Sequence, residues 1–190
     1  MFELAVSSSK AWLDCVMNHF DEFLLDHASC EKKASGMATS LLSHYPDRTE
    51  LVERMIELAL EELNHFRQVV AIIHERGLQL SGDAKDPYIQ SLRALVRTGA
   101  DYYLLDRLLI AGIVERRGHE RFGLIAEALP EGSLKSFYDV ITRSEGKHHE
   151  LFVSLALKYF KAEDVHSRLD ELVLAEGKIL EGLVIRPALH

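Results

Sequence analysis

Four glutamates and two histidines in this chain sit at spacings that would let them hold a pair of divalent metal ions. They are Glu31, Glu62-x-x-His65, Glu115 and Glu145-x-x-His148. On a helix, residues i and i+3 are about one turn apart, so a glutamate and a histidine at that spacing can reach a shared point. The lone glutamates precede their Glu-x-x-His partners by 31 and 30 residues, so the set reads as Glu plus Glu-x-x-His, twice. Helical bundles that hold two metals in their core use this ligand pattern. Four carboxylates match the charge of two divalent ions. Oxygen donors with one imidazole per metal suit iron or manganese, and the lack of thiolates disfavours structural zinc.

Spacing alone is weak in a chain with 10 histidines. The weight comes from where the residues fall. Glu62 and His65 interrupt the apolar stripe Leu51, Met55, Leu58, Val69, Ile72; Glu145 and His148 interrupt Leu134, Tyr138, Ile141, Phe152, Leu155, Tyr159. Stripes of this period face a core, where a lone carboxylate costs several kcal/mol and a group around a cation does not. A third match, Glu163/His166, lies in a first helical turn, off the stripe and with no lone glutamate upstream, so it is read as a helix-terminus charge. His27 and His119 lie one turn from Glu31 and Glu115. They are read as core histidines outside the metal set, with hydrogen bonding to a ligand, or a place as extra ligands, left open. His149, turned about 100° from His148, belongs to the flank with Glu150.

These residues need long helices to position them. Serines 7–9 suit an N-cap for "KAWLDCVMNHF". A stripe of Phe20, Leu24, His27, Glu31, Ala34, Ala38, Leu41 and Tyr45 then runs to Pro46. Asp47 or Thr49 should cap the next helix, and Gly77 should stop it. "GLQLSGDAKDP" reads as loop, followed by a short helix near residues 88–97. Leu105, Leu108, Gly112, Glu115, His119, Phe122 and Ala126 mark a third long helix ending at Pro130, "PEGS" turns into the fourth, and a last helix spans about 164–183. The expectation is all-α: a four-helix bundle with a long crossover link, in one domain over 1–190. "CEKKASGMATSLLSHYP" and "VERRGHERFGLIAEALP" repeat weakly, each with proline 15 positions after its glutamate, so Glu31 and Glu115 occupy matching places.

Composition narrows the function classes. Almost half the 190 residues are apolar, only 4 are proline, and no apolar run is long enough for a membrane span. The N-terminus lacks the pattern of a signal peptide, and the 2 cysteines form no redox or metal spacing, which points to a reduced, cytoplasmic protein. A net charge of −8 argues against indiscriminate nucleic-acid binding while leaving room for a local basic face. Lys32, Lys33, Arg116, Arg117 and Arg121 beside the lone glutamates, and Arg93, Arg97 and Arg107, are read as solvated or salt-bridged.

The six ligands resemble those of the ferritin-like di-iron carboxylate superfamily. More narrowly, "WLDCVMNHFDEFLLDHASCEKKASGMA", "EELNHF" and "SEGKHHELF" resemble the bacterial tRNA hydroxylases that act on 2-methylthio-isopentenyladenosine. The resemblance implies a ferritin-like fold and two iron ions, with manganese as the alternative. It also implies dioxygen as co-substrate, a tRNA substrate hydroxylated on its isopentenyl group beside the anticodon, and an electron-donating reductase. A ferroxidase or iron-handling protein would use the same ligands and is the alternative.

Overall fold

The computed structural model describes residues 2–190, and among them there are seven helices and no strand. They are α1 (Lys10–Asn18), α2 (Phe20–His44), α3 (Thr49–Glu75), α4 (Pro87–Arg93), α5 (Ala100–Ala128), α6 (Ser133–Tyr159) and α7 (Ala162–Gly182). No helix of the described residues is long and apolar enough to cross a membrane. The chain groups into two compact units, one built on α2 and α3, the other on α4 to α7 with the segment through Leu13.

In the first unit, α2 and α3 lie antiparallel. Ser35 Oγ donates to the Ala59 carbonyl at 2.8 Å, a distance that brings the two backbones close. The expected stripe is buried at Leu24, His27, Glu31, Ala38 and Leu41 on α2, and at Leu51, Met55, Leu58, Glu62, His65 and Val69 on α3. At the end of α3 the phase slips by one residue, burying Ile73 in place of Ile72. Neither Asp47 nor Thr49 caps α3: Arg48 holds that position without a side-chain bond. The stop is as expected. Gly77 takes φ +73, and the amides of Gly77 and Leu78 return to the carbonyls of His74 and Ile73. This is the glycine-terminated close that a left-handed residue permits. The following loop is tied along α2, where Asp83 accepts from Ser29 Oγ at 2.8 Å and pairs with Lys32 at 2.9 Å.

In the second unit, α5 and α6 are antiparallel and close. A Cβ on Gly112 would come 3.4 Å from the His149 carbonyl, and one on Gly146 would come 3.1 Å from His119 Cε1. Helix α4 begins on Asp86, whose carboxylate accepts the amides of Tyr88 and Ile89, with Pro87 in the first turn. It ends at Arg93, short of the expected residue 97. Beyond it, Asp106, which is fully buried, takes the Arg97 amide at 2.8 Å and its guanidinium at 2.7 and 3.0 Å. Arg168 of α7 closes on the same carboxylate at 2.9 and 3.0 Å. Burial pulls the Asp106 carboxyl up, but the bonds from Arg97 and Arg168 outweigh it and hold the group below its ordinary value. Its contribution to stability is therefore present above the unfolded-state pKa and fades as pH falls through the folded value.

A second charged cluster lies deeper. Arg117, read from sequence as solvated or salt-bridged, is salt-bridged and fully buried. It forks onto Glu176 of α7 at 2.9 and 3.0 Å, reaches Glu120 at 2.6 Å, and donates to the Val6 carbonyl at 2.7 Å. Tyr88 Oη donates to Glu176 at 3.0 Å; burial and that carboxylate push its pKa well up, so it stays a phenol. Arg121 lies 4.3 Å from the Trp12 ring centroid and is also buried. The reason is visible in α5 itself: Leu104, Leu105, Leu108, Leu109, Ile110, Ala111 and Ile113 are buried around its circumference, so much of the helix has no wet face. Removing Glu176 would strand a buried guanidinium. Glu176→Ala is expected to cost about 3–5 kcal/mol in urea unfolding, against less than about 1 kcal/mol for breaking the exposed Arg54–Glu57 pair with Glu57→Ala.

Candidate metal centre

Each unit carries one half of the expected ligand set. On α2 and α3, Glu31, Glu62 and His65 are 3%, 1% and 4% exposed. His65 Nδ1 lies 3.7 Å from Glu31 Oε2 and 3.7 Å from Glu62 Oε2. On α5 and α6, Glu115, Glu145 and His148 are equally sheltered, with His148 Nδ1 3.5 Å from Glu115 Oε2 and 3.1 Å from Glu145 Oε2. Within each triad the three residues offer ligand atoms that all lie within 4.8 Å of one another. The local cause is helical phase: Glu and His three apart share a face, and the neighbouring helix delivers the lone glutamate to it. Two carboxylates and an imidazole gathered in a water-poor setting make a donor set that fits one divalent iron or manganese ion per triad.

The flanking histidines play different parts. His27 is fully buried and its Nε2 meets Glu31 Oε1 at 2.6 Å, so it grips a ligand glutamate from one turn away. Ligand carboxylates are commonly held by such a bond. His119 turns elsewhere: its Nδ1 donates to the Thr142 carbonyl at 2.9 Å. Neither belongs to the grouped ligand atoms of a triad.

His149 is the surprise of the flank. It points away from the triad, in keeping with its phase, yet it is only 2% exposed. The Phe2 ring meets it edge-on at 5.9 Å, and the His119 ring lies 6.1 Å away. Burial, then the charge of Arg116, pushes its pKa below the ordinary histidine value, so the ring is neutral at neutral pH. Glu163 and His166 are exposed on α7 and remain surface groups. Sequence reasoning missed the buried charges Asp106, Arg117, Arg168 and Glu176. The available signal was the all-round apolar character of α5, which leaves any charge on it with few routes to water.

A family model for tRNA-(MS[2]IO[6]A)-hydroxylase (MiaE) matches residues 2–190. The tRNA 2-(methylsulfanyl)-N(6)-isopentenyladenosine(37) hydroxylase of Pseudomonas putida is 34% identical over 172 residues, covering 90% of this chain and 83% of that protein. The protein of the same name from Salmonella typhimurium is 31% identical over 138 residues, covering 73% of this chain and 49% of that protein. Among solved structures, Protein 43 with aldehyde deformylating oxygenase activity from Synechococcus superposes with a TM-score of 0.93 at 38% identity, covering 98% of this chain and 93% of that one. That neighbour is a ferritin-like protein, and the all-α, ferritin-like class expected for this sequence holds. With a family match across residues 2–190 and a relative aligned over most of both chains, the chain belongs to the tRNA-(MS[2]IO[6]A)-hydroxylase family.

Proposed function

We propose that this chain hydroxylates the isopentenyl group of 2-methylthio-isopentenyladenosine in tRNA beside the anticodon, using dioxygen and electrons from a partner reductase. The observation that carries the reading is the family match over residues 2–190, joined to two buried Glu/Glu-x-x-His triads. In this reading Glu31, Glu62, His65, Glu115, Glu145 and His148 hold two iron ions, and residues 1–190 work as a single ferritin-like domain in the cytoplasm.

Two bound iron ions would supply the oxygen-activating redox chemistry that side chains lack. The chain supplies placement and exclusion. His27 holds one oxygen of Glu31, which leaves the other turned toward His65. Leu58 and Val69 flank Glu62 and His65 on their helix face, and Ile141 and Phe152 flank Glu145 and His148; all four are buried. Such apolar walls keep water and stray hydrogen donors away from a strong oxidant. The base must leave its stack to reach such a site, which an anticodon loop allows at low cost.

One observation favours a second reading: the solved neighbour at 38% identity is named for action on aldehydes. Offering both substrates to iron-loaded protein with reductant and oxygen separates them. The expected outcome is one added oxygen atom on the isopentenyl nucleoside of hypomodified tRNA, read by mass spectrometry of the digest. Untouched tRNA alongside consumed aldehyde would sink the hydroxylase reading.

Metal analysis tests the ligand set. Wild-type protein is expected to hold two irons, His148→Ala about one with activity lost, and His149→Leu both, since only His148 faces the triad. Equal iron loss in the two variants would show the phase assignment to be wrong. His27→Ala should leave the fold intact by circular dichroism and weaken iron binding or turnover by about 10- to 100-fold.

A further inference from the structure

The start of α5 carries two adjacent tyrosines that the metal chemistry does not use. Tyr102 and Tyr103 are 51% and 41% exposed, among the largest apolar surfaces the second unit shows to water. Each is braced by an arginine. The Arg97 guanidinium lies 4.6 Å from the Tyr102 ring centroid, and that of Arg107 lies 5.7 Å from the Tyr103 ring. Arg97 is itself immobilised, because Asp106 takes two of its guanidinium nitrogens and its backbone amide. The tyrosine beneath it is thus a ring held in place before any partner arrives, which lowers the ordering cost of binding.

Further cations lie at the same end of the unit. Gly112 packs on His149 and Phe152, and Gly146 on His119, so the antiparallel register sets the start of α5 beside the end of α6. Exposed Lys158 and Lys161 fall there, ahead of the exposed Glu163 and Asp164 of the first turn of α7, and exposed Arg93 closes α4 just before the Arg97 turn. Exposed aromatic rings interleaved with cations are what unpaired nucleotides require: a face on which to stack and charge for the phosphates. A duplex, with its bases already stacked, would gain nothing from the rings.

We infer that Tyr102 and Tyr103, braced by Arg97 and Arg107, form a stacking platform for unpaired nucleotides of the tRNA anticodon loop; this rests on the tRNA-hydroxylase reading. Glu115 lies 12 residues beyond Tyr103 on the same helix, roughly 18 Å along its axis. That is on the order of five stacked nucleotides at ~3.4 Å per step. The platform therefore grips loop nucleotides other than the one whose side chain is oxidised. It also answers the net charge of −8: recognition is local and partly aromatic, so a basic molecule is not needed.

The test measures binding of a fluorescent anticodon stem-loop to the full-length, iron-loaded protein. Tyr102→Ala with Tyr103→Ala is expected to weaken affinity at least about tenfold and to raise KM for tRNA by the same factor. Tyr102→Phe with Tyr103→Phe, which keeps both rings, should bind as wild type. Arg107→Gln should lower the salt slope of binding by about one. Undiminished affinity in the double alanine variant, with wild type binding well, overturns the platform and leaves the hydroxylase reading standing. A defect confined to turnover driven by a reductase, with RNA affinity intact, overturns it in favour of a protein-docking face. Wild-type protein that neither binds nor oxidises tRNA overturns both.

Discussion

A carboxylate packed between helices has to be answered by positive charge, and the choice of answer divides this molecule into supports and a site. Asp106 and Glu176 are answered by guanidinium groups, which stay charged and meet a carboxylate with two parallel bonds. Those pairs join α7 to α5 and fix the turn that ends at α5. Glu31, Glu62, Glu115 and Glu145 are set instead against imidazoles, whose charge is optional and whose nitrogens can bind metal. Permanent cations sit where the fold must be rigid, and the weaker donors sit where a divalent ion would complete the balance.

Helical phase made the triads legible before any coordinates. A stripe at period 3.6 that is broken by Glu and His three apart can face only one way, and the two halves repeat the same break. The same logic separated His148 from His149, since neighbours on a helix differ by about a quarter turn. Caps were less legible, because Asp47 and Thr49 have the right chemistry and the chain placed Arg48 at the position instead. Local propensity at a helix end is worth only about 1 kcal/mol and yields to tertiary demands.

What the sequence hid has a common cause. Arg117, Arg168, Asp106 and Glu176 look like surface residues by type, and their partners are 59 and 62 positions away. No local pattern reports a pair that distant. The length of α4 was misread because nothing in its own sequence shows that Asp106, on the next helix, takes the Arg97 amide. His149 was placed correctly by phase and wrongly by environment: a flank of one helix is covered when Phe2 lies across it.

Gly146 sits between Glu145 and His148, on the face that meets His119, and a single added carbon there would press on an imidazole already tethered to Thr142. That pressure is relieved either by the His119 ring giving way by a few tenths of an ångström against its bond to Thr142, or by α6 moving off α5 and carrying Glu145 and His148 with it. The bite of this triad is thus set partly by an atom that is missing. How large a side chain this position accepts is therefore set by how far the His119 ring can yield while keeping its bond to Thr142.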